Sequence, residues 1–189
     1  MLDKALFFFA DELNSYLQAR TGLLGTKVKV SAIVNDDGKY VMDAESIAVT
    51  MLNIEEETII KDHQRQHTYK SGQHMVLNPP LNLNLMVMFS AKFTLYDQAL
   101  KYISHVLTFF QNNNSFSSST HPALDRTLSK LNVELQRLSF DELNQVWAFI
   151  GGKQLPSVIY KVRMIAIQDQ IQSDIQQPIT VIDSSINVV

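Results

Sequence analysis

The stretch "NPPLNLNLMVMFSAKF", residues 78–93, decides how this chain folds. Leu81, Leu83, Leu85, Val87, Phe89, Ala91 and Phe93 alternate strictly, as the buried face of a β-strand does, because successive strand side chains point to opposite faces. The other face reads Asn82, Asn84, Met86, Met88, Ser90 and Lys92. It begins and ends polar but turns apolar at the two methionines. A strand that is apolar on both faces needs cover on both. For Met86 and Met88 that cover is either a helix of the same chain or a neighbouring subunit, so both are candidate interface residues.

The elements on either side of this strand supply the helices it needs. Residues 2–20 read as a helix, with Leu2, Leu6, Phe9, Leu13 and Leu17 at three- and four-residue steps, and Phe7 and Phe8 widening the stripe. Gly22 and Gly25 end it. "TKVKVSAIV" follows as a strand with Val28, Val30, Ala32 and Val34 on one side, and "NDDGK" (35–39) is a turn. A second strand runs from Ile47 to about Glu57. Residues 95–111 read as a helix, with Thr94 and Asp97 in the form of a capping box and Leu100, Ile103, Val106, Leu107 and Phe110 as the buried face. "NNNSFSSSTHP" is a polar loop. "SKLNVELQRL" is a half-exposed strand with Leu131, Val133 and Leu135 inward.

"LSFDELNQVWAFIGG" carries the most explicit local signals. Ser139 is the N-cap and Glu142 completes a capping box; Leu138 and Leu143 have staple spacing, and Gly151 or Gly152 caps the C-terminus. Leu143, Val146, Trp147 and Ile150 form the inward stripe. "SVIYKVRMIAI" is the last strand of the core. The expectation is one α+β (mixed α/β) domain over residues 1–170: a mixed β-sheet with about three packing helices. An extended C-terminal arm over 171–189 follows it.

The 189 residues are 46% apolar and 19% charged, with sixteen basic against nineteen acidic residues and a net charge of -3. A single domain of that size buries roughly 70% of its unfolded surface. No basic excess is available to hold a phosphate backbone, so no nucleic-acid partner is expected. The absence of cysteine excludes disulfides, thiolate zinc sites and cysteine nucleophiles, and suits a protein folded in a reducing cytoplasm. The apolar run Ala5–Ala10 is too short to cross a membrane and lacks a signal-peptide cleavage site, so neither membrane insertion nor a Sec-type signal is expected.

Residues 55–80 are the least core-like part of the chain, and a connection that long tends to be functional or mobile. A short strand around Thr58–Ile60 fits within it. His63 and His67, with Asp62 beside them and His74 beyond, have the only metal-like spacing. The surrounding "KDHQRQHTYKSGQH" has no apolar stripe to hold a helix, and Gln64 stands where a zinc protease motif needs glutamate. It reads as a solvated polar loop; a small-molecule enzyme built on His63 and His67 is the alternative from another functional class. Asp36 and Asp37 read as turn residues, and Gly151-Gly152-Lys153 as a helix cap rather than a phosphate loop. No catalytic residue, cofactor or metal ligand set is expected.

"NPPLNLNLMVMFSAKF…YDQALKYISHVLTFFQ" and "LNVELQRLSFDELNQVWAFIGGKQLPSVIYKVRM" together resemble the cap, or tail-terminator, proteins of bacterial contractile injection systems of the antifeeding-prophage and virulence-cassette type. The similarity runs from the first helix to about Met164. It implies a homohexameric ring at the distal end of the inner tube and contractile sheath, which stops polymerisation and fixes particle length. The implied partners are further copies of the chain, the inner tube protein and the sheath protein, in a particle that can be released from the cell. Another tail component, a connector or baseplate subunit, is the nearest alternative. The resemblance carries over no catalytic residue.

The segment from Pro178 is β-prone and follows the polar stretch "QDQIQSDIQQ". Ile179, Val181, Ile182, Ile186, Val188 and Val189 have no evident partner in a domain whose other apolar faces already match. They are candidate interface residues, since an extended arm can add a strand to another subunit's sheet. An intramolecular edge strand is the other reading.

Overall fold

The computed structural model describes residues 1–22, 25, 27–57, 66–70, 73–77, 82–166 and 174–176. Twelve elements occur among them: α1 (Leu2–Thr21), β1 (Val28–Val30), β2 (Ser46–Glu56), β3 (Gln66–Lys70), β4 (Gln73–Leu77), β5 (Asn82–Lys92), α2 (Tyr96–Asn112), β6 (Ser115–Ser117), β7 (Leu128–Leu135), α3 (Phe140–Ile150), β8 (Ser157–Ala166) and β9 (Asp174–Gln176). Six strands form one sheet in the order β1-β2-β5-β8-β7-β6. The β1–β2 pair is parallel and every other pair antiparallel, so the sheet is mixed, as expected.

The opening strand lies inside this sheet, between β2 and β8. Its predicted alternation holds. Leu85, Val87, Phe89 and Ala91 are fully buried on one face, with Leu83 and Phe93 packed at the margins. That face carries the larger core, covered by α1 and α2 through Phe9, Leu13, Val106 and Phe110. Phe116 sits at its centre, with ring centroids 5.4 Å from Phe8 and 5.6 Å from Phe9. The opposite face carries a smaller core of Ile33, Met42, Ala48, Met88, Trp147 and Ile159, covered by α3. Helices therefore cover both faces, two on one side and one on the other.

Local chemistry fixes the helix ends. Gly22 takes φ 67°, a left-handed cap whose N–H donates to the Gln18 carbonyl at 3.0 Å. Asn14 ties α1 to the sheet edge. Its amide donates to the Val28 carbonyl at 2.8 Å, and its Oδ1 accepts from the N–H groups of Lys27 and Val28. The turn at 35–39 forms as read, with Gly38 at φ 73° and its N–H on the Asn35 carbonyl.

Several details differ from the sequence reading. β1 stops at Val30, and Ile33, not Ala32, is buried, on the α3 side. The Thr94–Asp97 capping box is absent. Leu95 is the N-cap of α2, and the Thr94 N–H donates to Glu45 Oε1 at 2.7 Å instead. The buried stripe of α2 is Ala99, Tyr102, Ile103, Val106, Phe109 and Phe110, leaving Leu100 exposed. Leu135 is exposed at the end of β7. The polar loop after α2 contains β6, which buries Phe116. Residues 66–70 and 73–77, read as part of a solvated loop, form strands β3 and β4, and β9 pairs antiparallel with β4 in a separate three-stranded sheet. The proposed strand at Thr58–Ile60 lies outside the described residues.

Candidate functional site

Helix α3 has the local structure its sequence specifies. The Ser139 hydroxyl accepts from the Glu142 N–H, and the Glu142 carboxylate accepts from the Ser139 N–H at 2.7 Å. That backbone donor first, and the hydroxyl second, hold the Glu142 carboxyl below its usual pKa. Gly151 ends the helix at φ 77°, with its N–H on the Trp147 and Ala148 carbonyls. Lys153 belongs to the segment after this cap: the Tyr40 hydroxyl donates to its carbonyl at 2.7 Å, tying the 34–40 turn to the end of α3. A Cβ added at Gly152 would lie 3.2 Å from Val34 Cγ1, so this approach is close. Trp147 anchors the helix and is 5% exposed.

The two methionines have separate fates. Met88 is fully buried beneath α3, so the cover predicted for it comes from this chain. Met86, one step further along the same face, is only partly buried. A β-bulge brings both Leu52 and Asn53 towards it, because the β2–β5 register shifts between Met51 and Asn53. The result is an apolar groove of about 340 Å³ beside α3, floored by Met86 and Ile159 and walled by Leu52, Val146, Phe149 and Ile150.

The outward side of α3 sets two exposed phenylalanines among exposed Asp141, Glu142, Asn144 and Gln145. Phe140 and Phe149 are each 92% exposed. Phe140 borders a second hollow with Leu143, Asn144 and Trp147. A third lies between the first turn of α2 and the segment leading into β8, where Tyr96, Leu100, Leu143, Leu155 and Pro156 meet. Leu95, Tyr96 and Leu100 are themselves exposed. Exposed apolar residues thus border hollows on both flanks of α3 and at the start of α2. Met86 floors the groove, and Phe140 and Phe149, which sequence reading did not single out, lie off the inward stripe. Two phenylalanines left over once the stripe is assigned were the available signal.

The histidine loop falls only partly within the described residues. His63 lies outside the described residues. His67 is on β3 opposite Val76, and His74 on β4 opposite Tyr69, so this part of the chain is strand and not helix. Among the described residues no three His, Asp or Glu side chains are grouped to hold a metal ion. Ile179, Val181, Ile182, Ile186, Val188 and Val189 also lie outside the described residues. No helix among the described residues is long and apolar enough to cross a membrane.

Residues 8–181 match the family described as the Pvc16 N-terminal domain. The chain belongs to that family. Its fold is similar to the PVC sheath/tube terminator of an extracellular contractile injection system in the extended state, with TM-score 0.63 and 16% identity over 94% of this chain and 62% of that one. It is also similar to the tube-terminating cap of the anti-feeding prophage, with TM-score 0.62 and 16% identity over 92% of this chain and 58% of that one. The chain thus spans about three fifths of the length of each solved relative. No curated protein sequence matches.

Proposed function

We propose that this chain is a structural cap subunit that ends the inner tube and sheath of a contractile injection particle. In this reading it assembles as a homohexameric ring, stops polymerisation and so sets particle length. The observation that carries the reading is the family match across residues 8–181, nearly the whole chain. The shared fold with two terminators supports it, as does an apolar surface suited to protein contact. The role is structural, not catalytic: the partners are copies of the chain, the tube protein and the sheath protein, and no contact with nucleic acid is part of it. Assembly takes place in the bacterial cytoplasm. Sixfold closure follows from matching the tube, because head-to-tail contacts repeated about an axis close at one subunit number.

Gold labelling of an epitope-tagged chain in isolated particles tests the location. The expected result is label at one end of each extended particle, opposite the baseplate, with six copies per particle by quantitative mass measurement. Label at the baseplate end would assign the chain to a baseplate subunit instead.

A further inference from the structure

Phe140 and Phe149 lie nine positions apart on α3, about 2.5 turns at 3.6 residues per turn, so they leave the helix on opposite flanks. Phe149 stands at the rim of the Met86 groove, whereas Phe140 projects from the other flank. One flank therefore carries an apolar knob and the other an apolar hole, and within one rigid helix the two cannot meet. The charges have the same handedness. Asp141 is exposed beside Phe140, while Lys161 lies opposite Met86 on the groove side of the sheet. Among the described residues neither makes an ion pair with the other or with a third group. Two phenylalanines at 92% exposure present roughly 300–450 Å². One ring belongs to each side of a seam, so together they supply about a quarter of the ~1,600 Å² total of a stable protein interface, and the groove walls add to it.

We propose that α3 forms the seam between copies of this chain: Phe140 of one copy enters the groove between Met86 and Phe149 of the next, with Asp141 set against Lys161. The proposal rests on the ring reading above and names the surface that closes the ring. The contact is heterologous, joining different patches of two identical chains, which is the kind that generates rings.

The chain contains no cysteine, so disulfide trapping is clean. Phe140→Cys and Gln145→Cys place thiols on the knob and on the groove rim, both at exposed positions, and reduced melting curves check that each variant folds. The full-length chain is used in particle-forming cells. Co-expression of the two single variants, followed by oxidation of intact particles, is expected to give a linked dimer, and the double variant a ladder of multimers. Asp141→Lys in the Phe140→Cys chain should reduce the adduct several-fold, and Lys161→Asp in the Gln145→Cys chain should restore it. A dimer from Phe140→Cys alone would mean a two-fold contact and overturn the seam. Particles of normal length without any adduct would also overturn it while leaving the terminator reading intact. An adduct in particles whose length does not depend on the chain would sink the terminator reading and leave the seam standing.

Discussion

Trp147 holds α3 on the sheet, in contact with the small core around Met88, Ile33 and Met42. Replacing it with alanine should cost about 3–5 kcal/mol, the usual range for removing a buried aromatic. Ser139→Ala removes the N-cap acceptor and should cost about 1 kcal/mol. Chemical denaturation of the two variants measures both; equal and negligible losses would show that α3 is not seated this way. The same cap predicts a pH dependence. Glu142 has a lowered pKa in the folded chain because the Ser139 N–H and hydroxyl favour its ionised form. A carboxylate with a depressed folded pKa contributes its full stability above the ordinary glutamate range, and loses it as pH falls from about 5 through the folded pKa. Wild type should therefore lose more stability than Glu142→Gln over that fall, in paired thermal melts. Parallel curves would contradict the capping role.

At the scale of elements, stability at the sheet edge depends on Asn14. β1 is three residues long, and Asn14 makes three hydrogen bonds to the backbone at its start. Asn14→Ala should cost roughly 2–4 kcal/mol, since each bond contributes about 1 kcal/mol and partly buried backbone groups lose their partners. Hydrogen exchange should show β1 amides opening first; protection equal to wild type would contradict that. Asn14 also shows why some elements were legible in the sequence and others were not. β5, β8, α1 and α3 announce themselves because burial imposes a period of 2 or 3.6 on their own residues. Asn14 acts on a strand elsewhere in the chain, and no local period records it. Phe116 is one apolar residue in a run of Asn and Ser, yet it sits at the centre of the aromatic cluster. The β3–β4 pair is held by backbone pairing among mostly polar residues, so the alternation that reveals a half-buried strand is missing. Met86 was legible as an apolar residue on the second face of β5, but an exposed phenylalanine on a capped helix breaks no rule that a single chain must satisfy.

For the whole molecule, the account is a six-stranded mixed sheet, covered by two helices on one face and one on the other, with the third helix proposed to face a partner. Residues 178–189 belong to the proposed arm. Removing them should leave the melting temperature of the domain nearly unchanged while length control or attachment to tube and sheath fails, if the six apolar residues there meet a partner beyond the domain as proposed. An unfolded truncation would place that segment in the domain's own structure. The most direct test of the central claim is the length distribution of particles, measured by negative-stain electron microscopy, in a strain lacking the chain and in the same strain complemented with it. The terminator reading predicts tubes and sheaths of uncontrolled length without the chain, and a single narrow length restored by complementation. Particles of unchanged length in the deletion strain, or the loss of all tube and sheath assembly, would contradict it.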